Sequence, residues 1–208
     1  LFEEIVSALR GEDRIMLATI ISTTGSTPAS ALSRMLVKQA GVVSLGTVGG
    51  GCMEGDVLLH ANRLLHENKS EILTFHLNED DLEHGLICGG SLDVLIEPLP
   101  KERIPLFEEL KTIRDEGDDC VLASFLTDGG EVRSKCIVAG SMTTPIEQGS
   151  GAMNVLSWII RPADEAIRNS VIEGILKVYH RNETLVLKAG GGRIILEPVA
   201  GAPSLLVF

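Results

Sequence analysis

The sequence Gly46-Thr47-Val48-Gly49-Gly50-Gly51-Cys52-Met53-Glu54-Gly55-Asp56 joins the two patterns that decide the fold. Before it, residues 35–45 form an extended apolar run, and after it apolar residues recur at helical spacing. The run of glycines allows positive φ angles and lets the backbone approach a ligand closely. A helix starting here would point its unpaired N–H groups and the positive end of its dipole into the loop. The stretch therefore predicts a strand, an anion-binding loop and a helix in succession.

Cys52 lies in the loop towards which the N-terminus of this predicted helix points. A helix N-terminus favours the thiolate over the thiol, so a sulfur in this position would be reactive. A simpler interpretation remains open beside this one. Glycine runs between a strand and a helix often serve only the geometry of the turn, and a cysteine is often a small buried apolar residue.

Composition limits the class of protein. The chain has 208 residues, 44% of them hydrophobic and 3% aromatic, which is enough for one large or two small domains with an aliphatic core. Its net charge of −11 disfavours a nucleic-acid partner. No apolar run reaches membrane-spanning length, and the widely spaced cysteines are typical of reduced thiols. We therefore expect an acidic, cytoplasmic α/β protein that binds neither nucleic acid nor membrane.

Hydrophobic periodicity predicts the order of the elements. Helices are expected over residues 1–9, from about Asp56 onward, over 104–114 and over 162–181. Strands are expected over residues 15–23, 33–38, 42–45, 71–77, 92–97, 119–127, 131–139, 184–189 and 193–199.

An internal repeat with an offset near 100 residues organises these elements. Residues 17–20, 33–37 and 93–98 correspond to residues 122–125, 134–138 and 193–198. We therefore predict an α/β fold with a duplicated β-β-α-β-β unit, whose repeats cover about 1–100 and 101–200. Neither half would bury its apolar face alone, so the two should form one pseudo-symmetric mixed-sheet domain over residues 1–200.

The repeat also separates structure from chemistry. The second copy has no Gly-Gly-Gly-Cys sequence, and it has Ala189-Gly190-Gly191-Gly192 where the first has Cys88-Gly89-Gly90. This asymmetry favours a functional role for Cys52 and Cys88, whose strand ends could meet in one pocket. Cys120 and Cys136 fall within apolar strands and are expected to be packing residues.

Several polar residues near the loop allow both a structural and a functional interpretation. Glu54 could cap the helix or contact a ligand's polar edge. Ser26 could satisfy its own turn or donate to an anion, and Arg34 is either a nearby cation for that anion or a surface charge. The histidines have no paired metal-ligand spacing, which disfavours a structural zinc site. No characteristic catalytic spacing is present, so no catalytic residue is assigned.

The motifs as a set resemble the XdhC/CoxI family of accessory proteins for xanthine dehydrogenase and related molybdenum hydroxylases. The resemblance is carried, in order along the chain, by Gly25-Ser26-Thr27-Pro28, Arg34-Met35-Leu36-Val37, Gly46-Thr47-Val48-Gly49-Gly50-Gly51-Cys52-Met53-Glu54 and Gly85-Leu86-Ile87-Cys88-Gly89-Gly90. One departure is that Ala29-Ser30 follows Pro28, where family members often carry an arginine.

This resemblance implies a chaperone that binds the molybdenum cofactor (molybdopterin), protects it during sulfuration and delivers it to an apo-enzyme. The implied partners are a molybdenum hydroxylase and a cysteine desulfurase. Cys52 and Cys88 would lie near the metal or its sulfido group, and Ser26 and Arg34 would help to hold the anion. Backbone donors for the phosphate or pterin would come from the loop glycines, and the same pocket would include the remaining motif residues: Gly49, Gly50, Gly51, Glu54, Gly89 and Gly90.

The resemblance also implies a further domain. Residues 201–208 are expected to be the first strand of a Rossmann-like domain whose remainder is absent, and NAD(P) could bind there. Two other functions remain open: a nucleotide-dependent oxidoreductase component related to xanthine dehydrogenase, and a docking module without its own ligand. A pseudo-repeated, aliphatic fold of this kind could also form a homodimer.

Overall fold

A computed structural model describes residues 1–39, 43–77, 89–139, 165–189 and 191–202. The chain divides into two compact units. The first consists of Leu1–Ile104 with Gly129–Glu131, and the second of Pro105–Asp128 with Val132–Phe208. Residues 203–208 of the predicted Rossmann strand (201–208) and Cys88 lie outside the described residues.

The first unit is a five-stranded antiparallel sheet with two helices. Its strands are arranged in the order β3-β2-β1-β5-β4. Its elements, in chain order, are α1 (Phe2–Gly11), β1 (Arg14–Thr24), β2 (Arg34–Val37), β3 (Val43–Gly46), α2 (Gly51–Glu67), β4 (Glu71–His76), β5 (Ser91–Pro100) and a 3-10 turn (Lys101–Arg103).

Helix α2 connects the two edges of this sheet, since β3 and β4 are the outermost strands. A strand–helix–strand connection usually places two parallel strands side by side, which underlies the expectation of a mixed sheet. That expectation is wrong for the described residues. Every pair of named strands is antiparallel, because α2 crosses three strands and β4 pairs with β5 instead of β3. The two units also have separate sheets.

One face of the sheet packs against α2. Alternate residues of β1 contribute Met16, Ala18 and Ile20, and the predicted helical stripe of α2 contributes Val57 and Ala61. All five side chains are buried in one aliphatic cluster. Burying apolar area of this kind is the main favourable term in folding, at about 25 cal/mol per Å².

Helix α2 begins at Gly51, earlier than the predicted start near Asp56. Glycine is a poor helix former, so the periodicity of apolar residues becomes visible only after it. The helix ends at Glu67, and Asn68, which takes the left-handed conformation with φ of 53°, caps its last turn.

The second unit is a four-stranded antiparallel sheet in the order β7-β6-β9-β8. Its elements, in chain order, are α3 (Ile104–Asp115), β6 (Cys120–Thr127), β7 (Val132–Ala139), α4 (Glu165–Arg181), β8 (Leu185–Ala189) and β9 (Gly192–Val199).

The strand order and register of the second sheet follow those of the first. Leu17 of β1 pairs with Leu36 and Glu97, and Leu122 of β6 pairs with Ile137 and Glu197. These are the positions that the sequence repeat aligns. The origin of both units from one duplicated segment stays a prediction. Within the described ranges, no helix combines the length and the apolar character needed to cross a membrane.

Candidate functional site

Three glycine-containing segments meet in the first unit beside the start of α2. The first contact joins the turn over residues 25–28 to residues 89 and 90. Ser26 and Gly89 form an isolated parallel bridge. A Cβ added to Gly90 would lie 2.2 Å from the Ser26 carbonyl oxygen and 2.6 Å from that of Thr24. Only a glycine allows these two backbones to approach so closely, so the structure brings Ser26, Gly89 and Gly90 together.

The other side of the same turn contacts the loop before α2. A Cβ on Gly49 would lie 3.0 Å from Cγ of Pro28 and 3.3 Å from Cε of Met53. The loop is also fixed to β2, since the Thr47 N–H donates to the Arg34 carbonyl at 2.9 Å. The turn over residues 25–28 therefore lies between the two glycine segments that sequence analysis singled out.

The loop glycines fall into two kinds. Gly49, Gly50 and Gly51 have φ angles of 120°, 78° and 62°, which L-residues rarely adopt. Gly49 is packed against Pro28, whereas a Cβ on Gly50 or Gly51 would have none of the described atoms within 4 Å. Among the described residues, the Cβ sides of Gly50 and Gly51 are therefore open.

Glu54 holds this loop through hydrogen bonds that its carboxylate accepts. Its Oε1 accepts hydrogen bonds from the Gly50 N–H at 3.1 Å, from the Val48 N–H at 3.3 Å and from the Thr47 hydroxyl. The Gly49 N–H donates to Thr47 Oγ1 at 3.1 Å. Glu54 therefore caps the loop and the start of α2, as the structural interpretation of this residue expected. The role of Thr47 was missed, because its spacing to Glu54 differs from the usual capping box.

Cys52 is the second residue of α2 and is half-buried. The two described cysteines of the second unit differ from Cys52, because they lie within strands. Cys120 is buried, and burial raises the pKa of its thiol from 9.0 to about 11. Cys136 is partly buried against the second core, and its sulfur lies 3.7 Å from the Ala123 carbonyl oxygen. Both pack in apolar strands as predicted.

Arg34 begins β2, and its backbone adjoins the loop. Met35 and Val37 pack into the core beneath α2. Because successive side chains of a strand alternate between the two faces of the sheet, Arg34 lies on the face opposite α2. The structure therefore brings the carbonyl of Arg34 to the loop and places its side chain on the other face.

A polar cluster that sequence analysis missed lies where β5 begins. Asp93 accepts hydrogen bonds from the Ser22 hydroxyl at 2.8 Å and from the Thr74 hydroxyl at 2.7 Å. It thus links β5 to both of its neighbouring strands, close to Gly90. The only sequence signal is an aspartate inside an apolar strand, a residue that strands usually avoid.

Metal-binding residue types do not cluster among the described residues. No group of three or more His, Cys, Asp or Glu side chains with metal-binding geometry occurs there. His60 Nδ1 lies 3.0 Å from Glu71 Oε2, and the same oxygen accepts a hydrogen bond from Arg63 at 2.6 Å. This ion-pair network joins α2 to β4 on the surface, where such pairs contribute little to stability.

Comparisons with known proteins connect this geometry to a family. A curated relative, described as a probable component of the xanthine dehydrogenase of Bacillus subtilis (strain 168), is 30% identical over 112 residues, covering 52% of this chain and 34% of the relative. A crystal structure described as a xanthine dehydrogenase from Bacillus halodurans matches with a TM-score of 0.64 and 21% identity, covering 96% of this chain and 53% of that one. At that identity the likeness shows the fold alone.

The chain thus spans about a third of the curated relative and about half of the solved structure. Its residues 8–76 match the model of the XdhC and CoxI family. This segment includes β1 to β4, the glycine loop, Cys52 and Glu54. The family match confirms the resemblance that the motifs indicated: over residues 8–76, the chain is similar to the XdhC and CoxI family.

Proposed function

We propose that the chain is an accessory protein that holds the molybdenum cofactor while it is sulfurated and delivered to xanthine dehydrogenase or a related molybdenum hydroxylase. The observation that carries this proposal is the meeting of three glycine segments beside Cys52 at the start of α2. The curated relative, whose name refers to xanthine dehydrogenase, supports the class of client enzyme.

The residues of the site fit parts of this ligand. The backbone at Gly50 and Gly51 is open to close approach, which suits a flat ring system. Cysteine sulfur is a soft ligand of the kind that suits a soft metal centre, and Cys52 at the start of α2 is placed to supply it. Ser26 could donate its hydroxyl from the adjoining turn. The bound cofactor would contribute the metal and an anionic phosphate, and the chain would hold and shield them.

The proposed partners are an apo-molybdenum hydroxylase and a cysteine desulfurase. Transfer of a sulfur atom to a bound cofactor requires a donor protein to reach the site. Cys52 is half-buried, and Gly51 beside it is exposed, so the start of α2 is accessible from solvent. The proposed pocket also includes Cys88, whose contribution stays a prediction.

Retention of the cofactor tests the proposal. The chain is purified anaerobically from cells that make molybdenum cofactor, and bound pterin and molybdenum are measured for wild type, Cys52→Ala and Cys88→Ala. Cys120→Ala is the matched control, because Cys120 is a buried cysteine in the other unit. We expect Cys52→Ala to lose most of the bound cofactor and Cys120→Ala to retain it.

Two results would contradict this expectation. Equal retention in wild type and both variants would exclude a thiol role. Absence of cofactor from every preparation, including anaerobically loaded protein, would favour a docking module without its own ligand.

A second candidate is a component of an oxidoreductase. It is favoured by the name of the curated relative, which refers to xanthine dehydrogenase itself. In that case NAD(P) would bind a Rossmann-like domain beyond the residues described. Turnover of a purine substrate with NAD(P) by the complete gene product would distinguish this candidate from a chaperone.

A further inference from the structure

The donors of the glycine loop are bonded to side chains of the loop and of α2. The N–H groups of Val48 and Gly50 donate to one oxygen of Glu54, and that of Gly49 donates to the Thr47 hydroxyl oxygen. The Thr47 hydroxyl itself donates to Glu54. A single carboxylate therefore organises three consecutive amides through direct bonds and through Thr47.

This arrangement matters because a glycine loop before a helix usually binds an external anion through such amides. Here Glu54 provides the negative charge. An external phosphate could use the same donors only after this carboxylate had moved away. While Glu54 stays in place, its charge also repels a second anion from the loop.

We infer that Glu54 is the internal anion of the glycine loop and prevents external anions from binding to the amides of residues 48–50. A ligand then approaches the loop from the open side at Gly50 and Gly51, where the backbone is accessible. The inference takes the position of the ligand from the proposed function. It does not depend on which ligand binds there. It assigns Glu54 a role in selectivity, in addition to capping α2.

Nuclear magnetic resonance of the ¹⁵N-labelled chain tests this inference with inorganic phosphate as the probe. The amide signals of Val48, Gly49 and Gly50 are followed during phosphate titration of wild type, Glu54→Ala and Glu54→Gln. Glu67→Gln is the matched control. It removes the same charge from the same helix, at an exposed residue that pairs with Arg63.

We expect phosphate to leave the three amides unchanged in wild type and in Glu67→Gln. In Glu54→Ala the amides should show saturable shifts, with phosphate affinity raised about tenfold or more, equivalent to about 1.4 kcal/mol. Glu54→Gln keeps an oxygen acceptor without the charge. The affinity of this variant for phosphate should therefore lie between those of wild type and Glu54→Ala. The dispersion of the remaining signals reports whether each variant is folded, and Glu54→Gln supplies the test if Glu54→Ala is not.

Two outcomes would overturn the inference. One is a saturable phosphate shift of these amides in wild type that is as strong as in the Glu54 variants. The other is no shift in any folded variant, since removing Glu54 would then not create an anion site. Cofactor retention is measured in a separate experiment. If that experiment contradicted the proposed function, the result of the phosphate titration would still hold.

Discussion

Each of the two sheets has a glycine in close backbone contact near the start of an inner strand. The glycines of the helices, by contrast, have different surroundings in the two units. Gly90, next to the start of β5, would clash with the Ser26 carbonyl oxygen if it carried a Cβ, at 2.2 Å. Gly192, at the start of β9, would clash with the Leu126 carbonyl oxygen at the same distance. Close backbone packing therefore requires a glycine near the start of the inner strand in both units.

The helices differ in this respect. Gly174 of α4 lies against leucine side chains of its sheet, with a Cβ position 2.9 Å from Leu187 and 3.0 Å from Leu196. Gly50 and Gly51 at the start of α2, by contrast, have open Cβ positions and positive φ angles. These are the glycines that packing does not explain. Comparing the two units therefore separates a structural use of glycine from a use that the sheet does not require.

The largest expected effect comes from filling these two tight positions near the starts of β5 and β9. Gly90→Ala and Gly192→Ala should each lower the free energy of unfolding by about 3 kcal/mol, because a methyl group would collide with a backbone oxygen that cannot move independently. Gly89→Ala is the control, since Gly89 has a φ of 66° but no described atom within 4 Å of its Cβ position. It should cost only about 1 kcal/mol. Urea denaturation measures all three, and a Gly90→Ala cost no larger than the Gly89→Ala cost would break the comparison.

A smaller effect concerns the buried cysteine of the second unit. Burial raises the pKa of Cys120 from 9.0 to about 11, so the folded state keeps the thiol protonated where the unfolded chain ionises. The stability contributed by the neutral thiol is present below pH 9.0 and is lost as the pH rises towards about 11. The loss should be on the order of 2 kcal/mol. Denaturation across this pH range should show the decline in wild type and a reduced decline in Cys120→Ala. Equal declines would contradict the burial argument.

The smallest effects are expected to have opposite signs in the two helices. Gly55 of α2 has no described atom within 4 Å of its Cβ position, so Gly55→Ala should stabilise the chain by up to about 1 kcal/mol through helix propensity. In Gly174→Ala the same gain is opposed by contacts with the leucines of β8 and β9, and we expect a net loss of about 1 kcal/mol. Thermal unfolding measures both variants. Stabilisation by both would mean that α4 can shift away from its sheet.

Sequence patterns were sufficient for most local elements, because alternation and helical spacing directly reflect which side chains are buried. They failed where the decisive partner lies elsewhere in the chain. The start of α2 at Gly51 depends on hydrogen bonds to Glu54, which overcome the low helix propensity of glycine. The antiparallel pairing of β4 depends on which edge α2 reaches, and connection length alone does not determine this.

The candidate site shows the same limit. The motifs predicted that Ser26, Gly89 and Gly90 belong together, and the structure places them in contact. The face of the sheet on which the Arg34 side chain lies depends on strand register. That register cannot be read from the presence of a charged residue near a loop in the sequence. Likewise, the bonds from Ser22 and Thr74 to Asp93 join residues of three strands and leave no local pattern.

The strand order has a consequence for synthesis on the ribosome. In each unit the last of the described strands in chain order occupies an inner position, with β5 between β1 and β4 and β9 between β6 and β8. Until β5 has left the ribosome, β1 and β4 each expose a row of unpaired N–H and C=O groups that another chain could join. Each sheet can close only after its final strand is synthesised. The nascent chain is therefore most prone to aggregation just before residues 91–100 and again before residues 192–199 become available.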